Sequence, residues 1–211
     1  MKNLFISVEG GDGSGKSTQL NNIIKYLESR GMEFVFTREP GGTAIGEKIR
    51  DIILDPANEE MAAITEAMLY AASRAQHVEE LIKPSLAKGL TVVCDRFVDS
   101  SYAYQGYARG LKQAVYDINA YAISGCKPDL TIFLDVSPDE AMSRISQRGH
   151  DRLEKEDASF HNKVYEGYQY LIREDFESGE NRIISIKAGR EPDEVWKDIE
   201  RALDERFGQI T

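Results

Sequence analysis

The chain has 211 residues, 41% of them hydrophobic, and its 36 acidic and 26 basic residues give a net charge of −10. This length suits one substantial core, so we expect a single α/β domain over residues 1–211 rather than two large independent domains. The acidic balance argues against nucleic acid as the main partner. Two isolated cysteines and the lack of a long apolar span predict a cytoplasmic protein that neither enters a membrane nor carries a signal peptide.

Short β-rich runs alternate along the chain with longer helical patterns. The predicted strands are Leu4–Val8, Phe34–Thr37, Leu90–Cys94, Leu130–Val136 and Arg182–Ile186. The predicted helices run from Lys16 to before Gly31, over Ile64–Leu86 as far as Pro84, over Phe160–Ile172, and around Val195, Ile199 and Leu203. This alternation indicates a parallel sheet with helices on both faces.

The segment from Arg148 to Asp157 interrupts the alternation. It is almost entirely charged, with a single large apolar residue. Such a composition is typical of a solvent-facing lid rather than of a core element. We therefore expect a small mobile lid at about residues 144–157.

Residues 10–17, GGDGSGKS, match the pattern G-x-x-x-x-G-K-[S/T] between a predicted strand and a predicted helix. Glycines let successive backbone N–H groups point at phosphate oxygens, and the helix N-terminus adds partial positive charge. Lys16 can reach the β- and γ-phosphates of a nucleoside triphosphate, and the Ser17 hydroxyl can ligate Mg²⁺. The residues predicted to bind ATP are Gly10, Gly11, Asp12, Gly13, Ser14, Gly15, Lys16, Ser17 and Thr18.

A triphosphate loop alone does not distinguish a kinase from a switch, a motor or a scaffold. Transfer of a phosphoryl group between two anions requires further cations. Arg38 follows the second predicted strand, and Asp95 and Arg96 follow the third. We expect these residues at the carboxyl edge of the sheet, where open α/β folds bind ligands, with Asp95 holding Mg²⁺ directly or through water. Tyr70 and Arg74 share one helical face, which suits stacking on a base and hydrogen bonding to its edge.

Four further blocks follow the P-loop in order: TREPGGT at 37–43, LYAASRAQH at 69–77, DRFVDSSYAYQG at 95–106, and a charged segment that ends in DRLE at 151–154. Together with the P-loop, the blocks closely resemble bacterial thymidylate kinases from residue 4 to about residue 172. The resemblance implies a P-loop NTPase fold with a five-stranded parallel sheet. It also implies transfer of the γ-phosphoryl group of ATP to dTMP, Mg²⁺ as cofactor, and a homodimer.

The resemblance also assigns an acceptor site. The residues implied for dTMP binding are Asp12, Arg38, Glu39, Arg50, Tyr70, Arg74, Arg96, Ser100, Ser101, Tyr104 and Gln105. The arginines at 38, 50 and 96 are implied for the phosphate, and the pair at 70 and 74 for thymine. The base pocket is implied at 100, 101 and 105, and Tyr104 is expected to crowd the sugar. Asp12 is implied to accept a hydrogen bond from the 3′-hydroxyl, with support from Glu39.

The P-loop departs from some members of that family, which carry an arginine at the position of Gly13. The lid residues Arg148 and Arg152 are then the implied cations that neutralise transition-state charge. For Arg144, one turn earlier, a solvated surface position is an equally good interpretation. The predicted catalytic residues are Lys16, Arg96, Arg148 and Arg152.

Two other functions stay open on the residues alone. One is another nucleotide or nucleoside kinase, for example one that acts on dUMP, although the surplus of arginines argues against an acceptor without phosphate. The other is a nucleotide-dependent switch or binding module. A guanine-specific switch would need an Asn/Thr-Lys-x-Asp motif, and none follows the third predicted strand.

Overall fold

The computed structural model describes residues 3–144, 152–153 and 156–208. Its five parallel strands form one sheet in the order β2-β3-β1-β4-β5. The strands are β1 (Phe5–Glu9), β2 (Phe34–Arg38), β3 (Thr91–Asp95), β4 (Leu130–Asp135) and β5 (Ile183–Lys187). Each strand lies within one residue of its predicted run, so the five-stranded parallel P-loop NTPase sheet expected from the sequence is confirmed.

Helices connect the strands and cover both faces of the sheet. They are α1 (Lys16–Ser29), α2 (Ala44–Leu54), α3 (Ala63–His77), α4 (Lys83–Ala87), α5 (Val98–Ser101), α6 (Gln113–Ile123), α7 (Pro138–Arg144), α8 (Ala158–Ser178) and α9 (Pro192–Gly208). A π-helical turn at Val78–Ile82 joins α3 to α4, and a second one at Tyr102–Ala108 continues α5. Over the described ranges, no helix is long and apolar enough to cross a membrane.

The helical stretch that contains Pro84 does not end where the sequence predicts. The expected end is Pro84, but α4 continues to Ala87. Proline is tolerated in the first turn of a helical segment, where its missing N–H breaks no hydrogen bond of that segment. Because the π-helical turn ends just before α4 begins, Pro84 occupies such a first-turn position.

Local sequence explains the helix ends near the sheet edge. Gly15 adopts a left-handed conformation with φ 91°, and α1 starts at the next residue. Thr43 accepts a hydrogen bond from the Gly46 N–H at 3.0 Å and so caps α2. Asp157 caps α8 in the same way, by accepting from the Phe160 N–H at 2.8 Å.

Burial along the strands follows their order in the sheet. The central strands β1 and β4 are buried almost throughout, whereas the edge strands β2 and β5 are half-exposed. One apolar cluster joins α1 and α9 to the sheet, a second lies under the Val78–Ile82 turn, and a third surrounds α8. The third cluster also includes residues of the Tyr102–Ala108 turn. In this turn Ala103 lies close to Gly167 of α8, and a Cβ added to Gly167 would be 3.0 Å from the Ala103 Cα.

The strand register places the loops that follow β1, β2 and β3 at one edge of the sheet. Val8 of β1 and Arg38 of β2 both pair with Asp95 of β3. The loops that follow these strands therefore begin side by side. This edge holds the P-loop and most of the predicted acceptor residues.

Candidate active site

The P-loop closes around the amino group of Lys16. Lys16 Nζ donates to the carbonyl oxygens of Gly10 and Gly11 at 3.0 and 3.1 Å. Gly10 has φ 149°, and a Cβ there would lie 2.7 Å from Ser14 Oγ, so this turn requires glycine. Burial, and next the charge of Arg96, lowers the pKa of Lys16 to about 8. The carbonyl partners are neutral, so an arriving phosphate can replace them and add negative charge beside Lys16.

Arg96 lies beside the P-loop, directly after β3. Its Nη2 donates to Asp12 Oδ1 at 2.9 Å, and Lys16 Nζ is 3.8 Å from the same oxygen. Burial alone would raise the pKa of Asp12, but the charges of Arg96 and Lys16 outweigh that effect and lower it. The guanidinium also faces the Tyr104 ring, with 5.4 Å from Cζ to the ring centroid. A carboxylate therefore links the predicted donor-site lysine to the predicted acceptor-site arginine.

The conformation of Arg96 is held by hydrogen bonds to the end of β1. Its φ is 67°, in the left-handed region that costs energy for residues with a Cβ. The Arg96 N–H donates to Val8 O at 3.0 Å, and the next N–H, that of Phe97, donates to Glu9 Oε1 at 2.7 Å. The end of β1 thus fixes the direction in which Arg96 leaves β3.

Glu9 is a buried carboxylate at the base of the site, and no sequence motif predicts a role for it. Besides Phe97, its oxygens accept from Ser100 Oγ at 2.6 Å and from Tyr168 OH at 2.8 Å. Burial, and then the charge of Asp99, raises the pKa of Glu9 to about 7. Through these bonds Glu9 joins β1, the loop after β3 and α8. It ties Ser100, a predicted base-pocket residue, to the body of the sheet.

The predicted metal ligands fit a cation at the end of β3. Among the residues that the structure describes, Asp95 Oδ1 is a buried oxygen without a hydrogen-bond partner. A carboxylate oxygen is the donor that Mg²⁺ prefers. Ser17 is exposed in the first turn of α1, together with Thr18. The donor set therefore suits a magnesium ion that is shared with a bound phosphate.

Arg74 is the most buried cation near the site, with 1% of its side chain exposed. Glu39 Oε2 lies 2.8 Å from both its Nε and its Nη2. Its Nη1 donates to Ser101 Oγ at 3.0 Å and to Asn119 Oδ1, and its Nη2 donates to Phe97 O at 3.2 Å. The guanidinium that the sequence assigns to thymine thus already faces protein oxygens on every side.

Arg38, the last residue of β2, and Arg50, on α2, lie in a more open setting. Arg38 Nη2 contacts Glu47 Oε2 at 2.8 Å, and both side chains are more than 40% exposed. Arg50 Nη1 donates to Pro40 O at 2.8 Å. Glu47 also accepts from the Gly42 N–H at 2.8 Å. Arg38 thus lies at the carboxyl end of β2, the sheet edge where the sequence predicts it.

The aromatic residues of the predicted base and sugar site pack on one cluster around α8. Tyr104 is 7% exposed and belongs to this cluster, and Tyr70 of α3 packs against it from outside. A cavity between the P-loop and α8 is lined in part by Asp12, Tyr104 and His161. The structure therefore places an aromatic wall beside Asp12 and Arg96.

The two described residues of the lid core are buried, so the expectation of a solvent-facing segment is wrong for Arg152 and Leu153. They are 7% and 8% exposed. Arg152 Nη2 donates to Glu66 Oε2 at 2.6 Å, and its Nε donates to Ile53 O at 2.9 Å. A charge looks like a surface residue in a sequence, whereas here a buried carboxylate compensates it. Gln105, predicted for the base pocket, donates to the same carboxylate at 2.9 Å.

Two further arginines are candidates for the lid, Arg144 and Arg148, and the structure describes only the first. Arg148 lies outside the described residues. Arg144 donates to Glu140 Oε1 at 2.7 Å and to Ala188 O at 3.1 Å, and its side chain is 35% exposed. Nothing in the described part of the chain joins Arg144 to the P-loop.

Comparisons with known proteins show the family of the chain. The family model described as "Thymidylate kinase" matches residues 8–199. A thymidylate kinase of Symbiobacterium thermophilum is 47% identical over 203 residues, which cover 96% of this chain and 93% of the relative. One of Lactobacillus acidophilus is 48% identical over 212 residues, covering 98% and 96%, and one of a Thermoanaerobacter species is 50% identical over 200 residues, covering 94% and 96%. The chain belongs to the thymidylate kinase family.

Four charged or polar residues of this thymidylate kinase family member escaped the sequence analysis: Glu9, Glu66, Tyr168 and Arg109. For Glu9 and Glu66, the position in the sequence gives a signal. Glu9 ends a strand that is otherwise apolar apart from Ser7, and a sheet covered on both faces buries such a residue. Glu66 stands one and two helical turns before Tyr70 and Arg74, on the face assigned to the base.

Proposed function

We propose that the chain transfers the γ-phosphoryl group of ATP to dTMP, giving dTDP and ADP. Membership of the thymidylate kinase family supports the reaction class. The observation that carries the proposal is the shared carboxylate of Asp12, which lies 2.9 Å from the acceptor-site cation Arg96 and 3.8 Å from the donor-site cation Lys16. Two cations that meet at the end of β1 can hold two phosphates close together.

On the donor side, the P-loop binds the triphosphate and Lys16 contacts its terminal phosphates. The amides of residues 10–18 and the N-terminus of α1 supply further positive potential. Phosphate oxygens replace the carbonyl oxygens of Gly10 and Gly11 as partners of Lys16. A variant without the positive charge of Lys16 would leave the bound triphosphate without the lysine counter-charge of the P-loop.

On the acceptor side, Arg96 binds the dTMP phosphate, and Arg38 at the end of β2 and Arg50 on α2 add positive charge. Asp12 accepts a hydrogen bond from the 3′-hydroxyl of the sugar, with support from Glu39. Tyr104 packs against the sugar. The short Arg96 to Asp12 contact keeps the two acceptor contacts in register with the P-loop.

Around the base, Tyr70 stacks on thymine, and Ser100, Ser101 and Gln105 line the pocket. A contact between Arg74 and a ring carbonyl requires one of its present partners, such as Ser101 or Asn119, to give way. Arg74 therefore supports the pocket in this structure, and its direct role in reading thymine is part of the proposal.

Mg²⁺ is the proposed cofactor, held by Asp95 and by Ser17. The buried, unpartnered Oδ1 of Asp95 supports this assignment. When bound, the ion neutralises charge on the phosphate oxygens.

The segment 144–157 is proposed to act as a lid whose cations approach the transferring group. Arg148 and Arg152 are the candidates, because Gly13 leaves the P-loop without an arginine of its own. For Arg152 this requires release from Glu66, to which it is bound at 2.6 Å. The single-domain organisation with a mobile lid belongs to the same proposal.

We further propose a homodimer and a cytoplasmic location. Four apolar side chains on α2 and α3 stay exposed by 38–55%, namely Ile45, Ile52, Ile64 and Met68. Exposed apolar patches of this kind suit a second copy of the chain. Sedimentation at micromolar concentration measures the mass of the particle in solution and so tests the dimer.

Two cysteines without a disulfide, Cys94 and Cys126, fit the reducing conditions of the cytoplasm.

An acceptor screen tests the reaction. Purified protein with Mg²⁺ and ATP is given each nucleoside monophosphate, deoxynucleoside monophosphate and deoxynucleoside in turn, and the formation of ADP is followed. We expect dTMP to give the highest kcat/KM. A higher kcat/KM for dUMP or for another acceptor would show that this acceptor, and not dTMP, is the preferred substrate. ATP hydrolysis that no acceptor stimulates would favour a switch module.

A further inference from the structure

Glu66 is a fully buried carboxylate next to the base pocket. It lies on α3, one helical turn before Tyr70, and its side chain is 0% exposed. A buried ionised group must be compensated by hydrogen bonds and opposite charge. The partners of Glu66 are therefore informative about its role.

Four nitrogen atoms from three residues surround this carboxylate. Oε1 lies 2.9 Å from Gln105 Nε2 and 3.4 Å from Arg109 Nε. Oε2 lies 2.6 Å from Arg152 Nη2 and 3.2 Å from Arg109 Nη2. Burial alone would raise the pKa of Glu66, but hydrogen bonds from Gln105 and Arg152 and the charge of Arg109 outweigh it and lower the pKa. Glu66 is thus ionised at neutral pH, and an ionised carboxylate only accepts hydrogen bonds.

The acceptor-only character of Glu66 fixes the orientation of Gln105. A glutamine amide has one donating end, Nε2, and one accepting end, Oε1. Because Glu66 takes only donors, Nε2 must face it, and Oε1 faces away from it. Gln105 is 1% exposed, so a reversed amide would bring two oxygens together in a buried place.

We propose that Glu66 is a positioning residue that sets the hydrogen-bond polarity of the base pocket through Gln105. The proposal rests on the proposed function, in which Gln105 lines that pocket. An accepting Oε1 matches the N3–H of thymine or uracil and opposes cytosine, whose N3 is itself an acceptor. The orientation of one buried amide thus selects bases with a donor at N3, independently of any contact with the methyl group.

The matched test compares Glu66→Gln with Glu156→Gln. Glutamine at position 66 is nearly isosteric but can accept or donate, so the amide of Gln105 is free to turn over. We expect the ratio of kcat/KM for dTMP to that for dCMP to narrow by at least about tenfold. Glu156 contacts the same Arg109 at 2.6 Å, and no contact joins it to Gln105 in the described residues. Its variant should keep the ratio within about twofold of the wild type.

A double exchange, Glu66→Gln with Gln105→Glu, adds a rescue. The amide at 66 then donates to a carboxylate at 105, which again presents only an acceptor to the base. The dTMP to dCMP ratio should widen back toward the wild-type value. A purely structural role for Glu66 predicts no such recovery.

The outcomes separate the inference from the proposed function. A wild-type protein that does not phosphorylate dTMP overturns both. A wild-type protein that does, with an unchanged ratio in Glu66→Gln or an equal narrowing in Glu156→Gln, overturns only the role of Glu66. If thermal unfolding shows that Glu66→Gln is not folded, the wild type is assayed with a dTMP analogue that carries C–H in place of N3–H. A loss of at least about tenfold in kcat/KM supports the oriented amide, and an undiminished kcat/KM overturns it.

Discussion

Two arginine–glutamate pairs flank the loop after β2 and differ in almost everything except their contact distance. Arg38 and Glu47 are 47% and 41% exposed, whereas Arg74 and Glu39 are 1% and 2% exposed, although both pairs have a 2.8 Å contact. An exposed pair contributes about 0–1 kcal/mol to stability, so its arginine can change partners at little cost. Breaking a buried pair costs about 3–5 kcal/mol.

The difference suggests a rule for this site. Cations with exposed or neutral partners, such as Arg38 and Lys16, are available to ligands. Cations enclosed by buried oxygens, such as Arg74, hold the loops that carry the first group. Arg152 belongs to the second group in this structure and to the first in the proposed reaction, and the following experiments address that division.

The largest effect is expected for Lys16→Ala, on the available side of the comparison. Within the described part of the chain, Lys16 Nζ donates to the neutral Gly10 and Gly11 carbonyls and lies 3.8 Å from Asp12, so the fold should tolerate its loss. We expect kcat to fall by at least about 10⁴-fold, or about 5 kcal/mol, because charge on the transferring group stays uncompensated. Stopped assays with dTMP and circular dichroism together check this, and an active variant would remove the P-loop assignment.

On the enclosed side, Arg74→Met should destabilise the protein by about 4 kcal/mol. The substitution leaves Glu39 with His77 as its one remaining charged or ring partner among the described residues, at 2.9 Å. Urea denaturation measures the change in the free energy of unfolding. A loss below about 1 kcal/mol would show that Arg74 is as exchangeable as Arg38 and available to the base.

Arg38→Met provides the matched counterpart. Its stability should stay within about 1 kcal/mol of the wild type. We expect kcat/KM for dTMP to fall about 30-fold, or about 2 kcal/mol, because a charge-assisted contact with the acceptor phosphate is lost. If both kcat/KM for dTMP and the free energy of unfolding are unchanged, Arg38 does not belong to the acceptor site.

The smallest expected effect is that of Arg152→Ala, and it decides to which side this residue belongs. If Arg152 leaves Glu66 to reach the transferring group, kcat should fall by more than about tenfold, or about 1.4 kcal/mol, with little change in either substrate KM. A variant that loses stability but keeps its kcat would class Arg152 with Arg74 as a purely structural cation.

The strands and the P-loop could be predicted because their signals are local. A run of β-branched residues shows where a strand is, and the spacing of Gly10, Gly15 and Lys16 defines the loop without reference to the rest of the chain. The helix around Pro84 was harder to bound, because the preceding π-helical turn has no clear signature in the residue types.

The charged residues of the site could be named from the sequence, but their partners could not. The sequence predicts that Arg74 shares a helical face with Tyr70. The enclosure of Arg74 by Glu39, Ser101 and Asn119, however, depends on four separate elements that only the fold brings together. The sequence predicts an exposed lid position for Arg152 for the same reason, because its partner Glu66 is 86 residues away in the chain and no local pattern indicates the contact. Burial of a charge is a property of the assembled structure, and a sequence reports only the residue type.

The number of residues in the π-helical turn at Tyr102–Ala108 determines which side chains reach the Glu66 carboxylate. An α-helical residue advances the side-chain direction by about 100°, so one residue fewer in this turn would rotate everything after it by that amount. Gln105 and Arg109 would then no longer meet the same carboxylate, and the close contact of Ala103 with Gly167 would be offset against α8. Anyone who redesigns this pocket must therefore preserve the number of residues between Ser101 and Arg109 as strictly as their identities.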